Sequence, residues 1–162
     1  MAKIERKYLA HFINTAAVGS EAAVYERLGK DLEEFSPELS AQVDTKKNIL
    51  GETSVLISSY EKTGSVEPYY AEKDSALFTR LQNIIDDQLV LDELKTDVVE
   101  VKLWEATDGT VYPAIKEEAY IEVTSYGGDT SGYQIPFTLH FTGVRTKGTF
   151  DVSTKTFTAA QA

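Results

Sequence analysis

The chain has no cysteine, one methionine, one tryptophan, two histidines and four prolines in 162 residues. Each scarcity removes a class of chemistry. Without cysteine there is no disulfide framework, no thiolate nucleophile and no Cys-ligated zinc. Cations are the second shortage: 16 Lys and Arg stand against 26 Asp and Glu, a formal net charge of −10. Gripping a DNA duplex needs Lys and Arg clustered at phosphates, so tight groove binding is excluded. No apolar run approaches the ~20 residues that span a bilayer, and no membrane partner is expected. Lys3, Arg6 and Lys7 are followed by no apolar segment of the kind a secretory signal requires, so none is expected. A hydrophobic content of 42% is too high for a disordered chain. What remains is a single domain over 1–162, long enough to bury a core. Residues 1–7 are expected as an N-terminal arm and 158–162 as a mobile or docking tail.

What is present is mainly β patterning. From Tyr133 to Arg145, Tyr133, Ile135, Phe137, Leu139 and Phe141 alternate with Gln134, Thr138, His140 and Thr142, the period of a long half-buried strand. Pro136 lacks an N–H and implies an edge or a bulge there. Thr149 to Thr158 reads as a closing hairpin, with Phe150, Val152 and Phe157 inward and a turn near Ser153–Lys155. Upstream, Val99, Val101 and Leu103 mark one strand, Asp108–Gly109 a turn, and Ile115, Ala119, Ile121 and Val123 the next strand, giving an antiparallel meander. Lys7–Ile13 and Val24–Leu28 are strand-like. Leu39–Lys46 and Ser54–Glu61 form a candidate hairpin with Leu39, Ala41, Val43, Val55 and Ile57 as its apolar set.

One helix is expected between Asp74 and Leu89, where Leu77, Leu81, Ile84, Ile85 and Gln88 recur at helical spacing. Asp74 is its expected N-cap, and Arg80, Asn83, Asp86 and Asp87 its water-facing side. The acidic run from Asp86 to Glu100 reads as a solvated connection.

Catalytic constellations are missing. His11 and His140 lie alone on predicted strands, without the converging ligands a metal needs. Gly127, Gly128 and Gly132 fit no phosphate loop and read as turn residues. Glu118 and Glu122 share a strand face but carry no sign of the raised pKa that glycosidase work demands. No cofactor, metal or catalytic residue is expected, and the chain is read as a non-enzyme. Tyr60, Tyr69, Tyr70, Tyr112, Tyr120, Tyr126 and Tyr133 gather at strand ends and loops, where amphipathic rings suit protein contacts.

Several phrases in order resemble a known family. They are Tyr25-Glu-Arg-Leu-Gly-Lys30, Lys47-Asn-Ile-Leu-Gly-Glu-Thr53, Gly64-Ser-Val-Glu-Pro-Tyr-Tyr70 ahead of the helix, Ile135-Pro-Phe-Thr-Leu-His-Phe141, and Lys147-Gly-Thr-Phe150. The chain resembles the major tail tube proteins of long-tailed bacteriophages, most closely those of phages of Gram-positive hosts. The resemblance implies an antiparallel β-sandwich or barrel flanked by one helix. It implies a structural virion protein whose copies form hexameric rings, stacked into the tube that delivers phage DNA. It also implies assembly in the host cytoplasm, with tape-measure, tail-terminator and baseplate or tail-tip proteins as partners and DNA passing without specific binding.

Physical chemistry accounts for the composition of such a protein. Joining sheets around a ring removes open edges, and a heterologous contact between rings propagates into a filament. Six copies at −10 come to about −60 per ring, a field that repels passing phosphates. In the family a long hairpin loop contacts the next ring. Its counterpart here is Thr45–Thr53, with Asn48, Ile49, Leu50 and Gly51 as the stacking residues; Ile49 and Leu50 either anchor in a neighbour or cover their own core. Lumen-facing residues are not assigned. Two rival readings are a β-sandwich binding module, such as an adhesin or glycan-binding domain of a virion or cell surface, and a hydrolase using two carboxylates.

Overall fold

The computed structural model describes residues 2–16, 22–29, 32, 34–105 and 109–160. Strands run in the order β1 Leu9–Asn14, β2 Tyr25–Arg27, β3 Ala41–Lys47, β4 Thr53–Tyr60 and β5 Thr63–Val66. The helix α1 follows at Ala76–Asp87, then β6 Lys95–Lys102, β7 Val111–Val123, β8 Gly127–Asp129, β9 Gly132–Gln134, β10 Phe137–Asp151 and β11 Thr156–Ala159. One seven-stranded antiparallel sheet has the order β11-β10-β7-β6-β1-β2, with β5 on the same edge of β10 as β11; β3–β4 and β8–β9 are separate two-stranded ribbons. The architecture is mainly β with one helix, a curled antiparallel sheet that closes half a barrel.

The alternation is obeyed, but it serves two cores on opposite faces of one sheet. Register places Ile13, Val98, Ala119, Ile121 and Leu139 on one face, where α1 covers them with Leu77, Leu81 and Ile84. The other face carries Ala10, Phe12, Val99, Val101, Ala114 and Phe150. Val98 and Val99 are therefore both buried although adjacent, and β6 reads as a short continuous apolar run at its centre. Long strands that cross from one core to the other explain why β7 and β10 reach 13 and 15 residues.

The helix begins one residue later than expected. Ser75, not Asp74, is the N-cap: its Oγ accepts from Phe78 N at 3.4 Å. Glu26 of β2 joins it, accepting from Leu77 N at 3.0 Å and Ser75 Oγ at 2.8 Å, so two orphan amides are answered by different elements. Gln88 closes the helix in the left-handed conformation, at φ 48°.

Arg80 corrects a second expectation. Asn83, Asp86 and Asp87 face water, but Arg80 is 7% exposed. Its guanidinium donates to Asn14 O, Ala16 O, Lys95 O and Thr96 Oγ1 at 2.6–3.2 Å, bolting α1 to the ends of β1 and β6. Helical spacing alone puts it on the wet side; it is buried because the ends of those strands lie beneath it and offer their carbonyls.

The expected strand through Tyr133–Arg145 is broken at Ile135–Pro136, as the missing N–H of proline requires, and becomes β9 and β10. Tyr133 is consequently exposed while Ile135, Phe137 and Leu139 are buried. The Asp108 half of the predicted turn, Lys30, Met1, and Gln161–Ala162 lie outside the described residues. Residues 2–5 are exposed and unstructured and lead into a 3₁₀ turn, Arg6–Tyr8. Of the expected tail, Thr158 and Ala159 pair with Thr149 and Gly148, and Ala160 N donates to Lys147 O, so this part is fastened to β10.

Candidate assembly surface

β3 and β4 form a ribbon on which every residue is exposed. It continues the ladder that joins Glu38 and Thr63 at its root, yet beyond Lys62 it leaves β10 behind, and no described helix or strand packs over it. A bulge at Ser58 shifts the register between Gln42–Ser59 and Val43–Ile57. Ala41, Tyr60, Val43, Ile57 and Val55 are thereby aligned on one face. Two strands alone are marginal in water, and an apolar sheet face normally has a layer against it. Here it has none among the described residues.

The tip is a fixed object. Asn48 Oδ1 accepts from Leu50 N at 2.9 Å and Glu52 N at 3.0 Å, while Asn48 N donates to Glu52 O and Gly51 N to Asn48 O. Gly51 sits at φ +84°, a conformation that disfavours a side chain. Of the four residues singled out from sequence, Asn48 and Gly51 thus shape the turn, and Ile49 and Leu50 are the side chains it presents. Both are exposed and cover no core of their own chain.

At the root of the ribbon lies a cavity of about 470 Å³ lined by Leu39, Tyr60, Lys62, Glu117, Phe141, Gly143 and Arg145. It exists because β10 bulges between Phe141 and Arg145, with Gly143 at φ +94°, just where the ribbon departs. Glu117, 3% exposed, is held at its floor by Lys62 Nζ at 2.7 Å and Arg145 Nε at 3.6 Å. A carboxylate this buried is tolerated only with such partners. Lys62 also lies 4.8 Å from the centre of the Phe141 ring. Sequence reading missed Glu117, although the alternation of Ile115, Ala119, Ile121 and Val123 puts position 117 on the same inward face; the signal was the one charged residue in that apolar register.

The remaining candidates are scattered. His11 is buried on β1 with Nε2 3.3 Å from Glu100 Oε1, close but off hydrogen-bond alignment. The ring next to it holds the Glu100 carboxyl below its ordinary value, against the opposing effect of burial. His140 contacts Glu122 at 2.6 Å and Lys95 contacts Glu118 at 3.3 Å, so the two glutamates have separate partners rather than a shared cleft. Among the described residues no group of His, Asp and Glu is placed to hold a metal. Gly127, Gly128 and Gly132, all at positive φ, build the β8–β9 turn, as expected of them. Tyr60 and Tyr126 are exposed, whereas Tyr133 donates to Gln82 Oε1 at 2.7 Å and packs edge-on against Phe78.

No protein-family model matches the chain, and no curated protein matches it. Among solved structures it is similar to the SPP1 tail tube, determined by combined solid-state NMR and cryo-EM. The TM-score is 0.63 over 90% of this chain and 78% of that one. The fold is similar to that of a phage tail tube protein. At 16% identity the tail-tube likeness is one of backbone arrangement: a curled antiparallel sheet and a single helix.

Proposed function

We propose that the chain is a structural virion protein of a phage tail, whose copies assemble into stacked hexameric rings forming the tube through which DNA is delivered. The observation that carries this reading is the ribbon β3–β4, bare on every residue, on a body whose fold is similar to a tail tube protein. The tip residues Asn48, Ile49, Leu50 and Gly51 make the contact between rings. Neighbouring sheets continue one another around the bore, which removes open edges. The chain's work in this reading is self-assembly, without a catalytic centre or a cofactor. Its partners are further copies, then tape-measure, tail-terminator and tail-tip proteins, assembled in the cytoplasm of a Gram-positive host. DNA passes through a bore whose acidic subunits give it no attractive hold.

The test is a paired substitution, Ile49→Asp with Leu50→Asp. Both residues are exposed, so the monomer should keep its melting temperature within a few degrees, on the order expected for surface changes. Negative-stain microscopy should then show no tubes where the unaltered protein forms them. Tubes of normal length from the variant would refute the assignment of the tip. Discrete monomers of the unaltered protein that bind a glycan array would favour the binding-module reading instead.

A further inference from the structure

A heterologous contact needs a knob and a seat on different parts of one molecule. The knob is Ile49–Leu50. The cavity at the root of the ribbon supplies a seat, and the inference rests on the tail-tube reading above. We propose that the ribbon tip of one copy seats Ile49 and Leu50 in the root cavity of a second copy, against Leu39, Tyr60 and Phe141, with Glu52 facing Arg145.

Four observations converge. Leu39 and Tyr60 line the cavity yet remain 54% and 59% exposed, so apolar wall is available to be covered. Arg145 spends only its Nε on Glu117 and is half-exposed at the rim. The Glu52 carboxylate is exposed beside the knob, accepts from Asn48 Nδ2 at 2.9 Å, and supplies the opposite charge. A copy cannot fill its own cavity: Leu39 and Ile49 are ten residues apart along an extended strand, roughly 33 Å. Tip and root thus face opposite ends of the ribbon, the arrangement that adds copies head to tail. A second cavity of about 470 Å³ beside Arg6, Leu9, His11 and Arg27 fits less well. Its apolar walls Leu28 and Phe35 are already buried, and its two arginines donate to the carbonyls of Leu9, Phe35 and Lys7.

Because the chain has no cysteine, a pair of introduced thiols reports the contact without background. A chain carrying Leu50→Cys and Leu39→Cys should, after mild oxidation, run on a non-reducing gel as a ladder of dimer, trimer and higher species. Either single variant should give no ladder. Tubes by microscopy with no ladder overturn the seat and leave the tail-tube reading standing. A ladder without tubes or rings supports the seat and counts against the tube; neither ladder nor tubes overturns both. A dimer from Leu50→Cys alone means tips meet tips, and also overturns the seat. In the second arm, Glu52→Arg should cut tube yield at least tenfold and Arg145→Glu added to it should restore most of the loss. A full yield from Glu52→Arg alone, or no recovery in a double variant that still melts cooperatively, contradicts the charge contact.

Discussion

The sheet body and the ribbon are written in the same language and end in opposite environments. In the body, Val98, Val99, Ile121 and Leu139 alternate or cluster and are wholly covered by the rest of the chain. In the ribbon, Val43, Val55 and Ile57 alternate just as regularly and remain more than half exposed. The difference is not propensity but the availability of a second layer. α1 covers one face of the sheet, and on the other the curl of the sheet brings Tyr25 of β2 and Phe157 of β11 over the second core, whereas no described residue outside the ribbon forms a layer against it. A strand pattern states that a face wants to be buried. It does not state that the covering surface belongs to the same molecule.

The sharpest way to break the comparison is to make the same kind of change in both regions. Phe150→Ala removes a side chain with no exposure from the second core and should cost about 3–5 kcal/mol, read as a large fall in denaturant midpoint. Ile57→Ser in the ribbon should alter monomer stability by no more than about 0.5 kcal/mol, while tube formation falls steeply. Equal stability losses at the two sites would mean that the ribbon is packed within the monomer. A smaller effect is expected at the bolt between helix and sheet. Arg80→Met takes the guanidinium donor from the carbonyls of Ala16 and Lys95, while Asn14 O keeps Thr96 Oγ1 at 2.7 Å, and should cost about 1–3 kcal/mol by chemical denaturation. The exchange protection of the ribbon amides should not change, because α1 does not touch them.

The smallest effect is a pH dependence confined to the body. The Glu100 carboxyl titrates below its ordinary 4.5 in the folded chain, so its contribution to stability is complete above that value. It is lost as pH falls below about 4.5 and through the lowered folded value. Glu100→Gln should therefore flatten this part of the stability–pH curve in acid-titrated melts, with no change near neutrality in the slope. A curve as steep as that of the unaltered chain would remove Glu100 from the account.

Much of this architecture is legible in the sequence. The meander β6–β7–β10, an irregularity at Pro136 (expected as an edge or bulge and found as a full break between β9 and β10), the helix with Leu77, Leu81 and Ile84 inward, and the hairpin ending in Asn48–Gly51 follow from local periodicity and turn chemistry. What was not legible depends on partners distant in sequence. Arg80 is buried because Asn14 and Lys95 arrive beneath it, and Glu117 because Lys62 and Arg145 flank it. The N-cap moved to Ser75 because Glu26 comes from another strand to complete it. The root cavity needed both the bulge in β10 and the departure of the ribbon, neither of which has a local signal of its own beyond Gly143.

The turn at Asn48 has a kinetic consequence. Its side-chain amide, Gly51 and the backbone of Glu52 lock the tip before any encounter, so the ordering entropy of those residues is lost during folding rather than on contact. A pre-organised knob docks as a rigid body. Growth at the end of a filament built this way is paced by collision and orientation of subunits, and not by a loop that must fold on arrival.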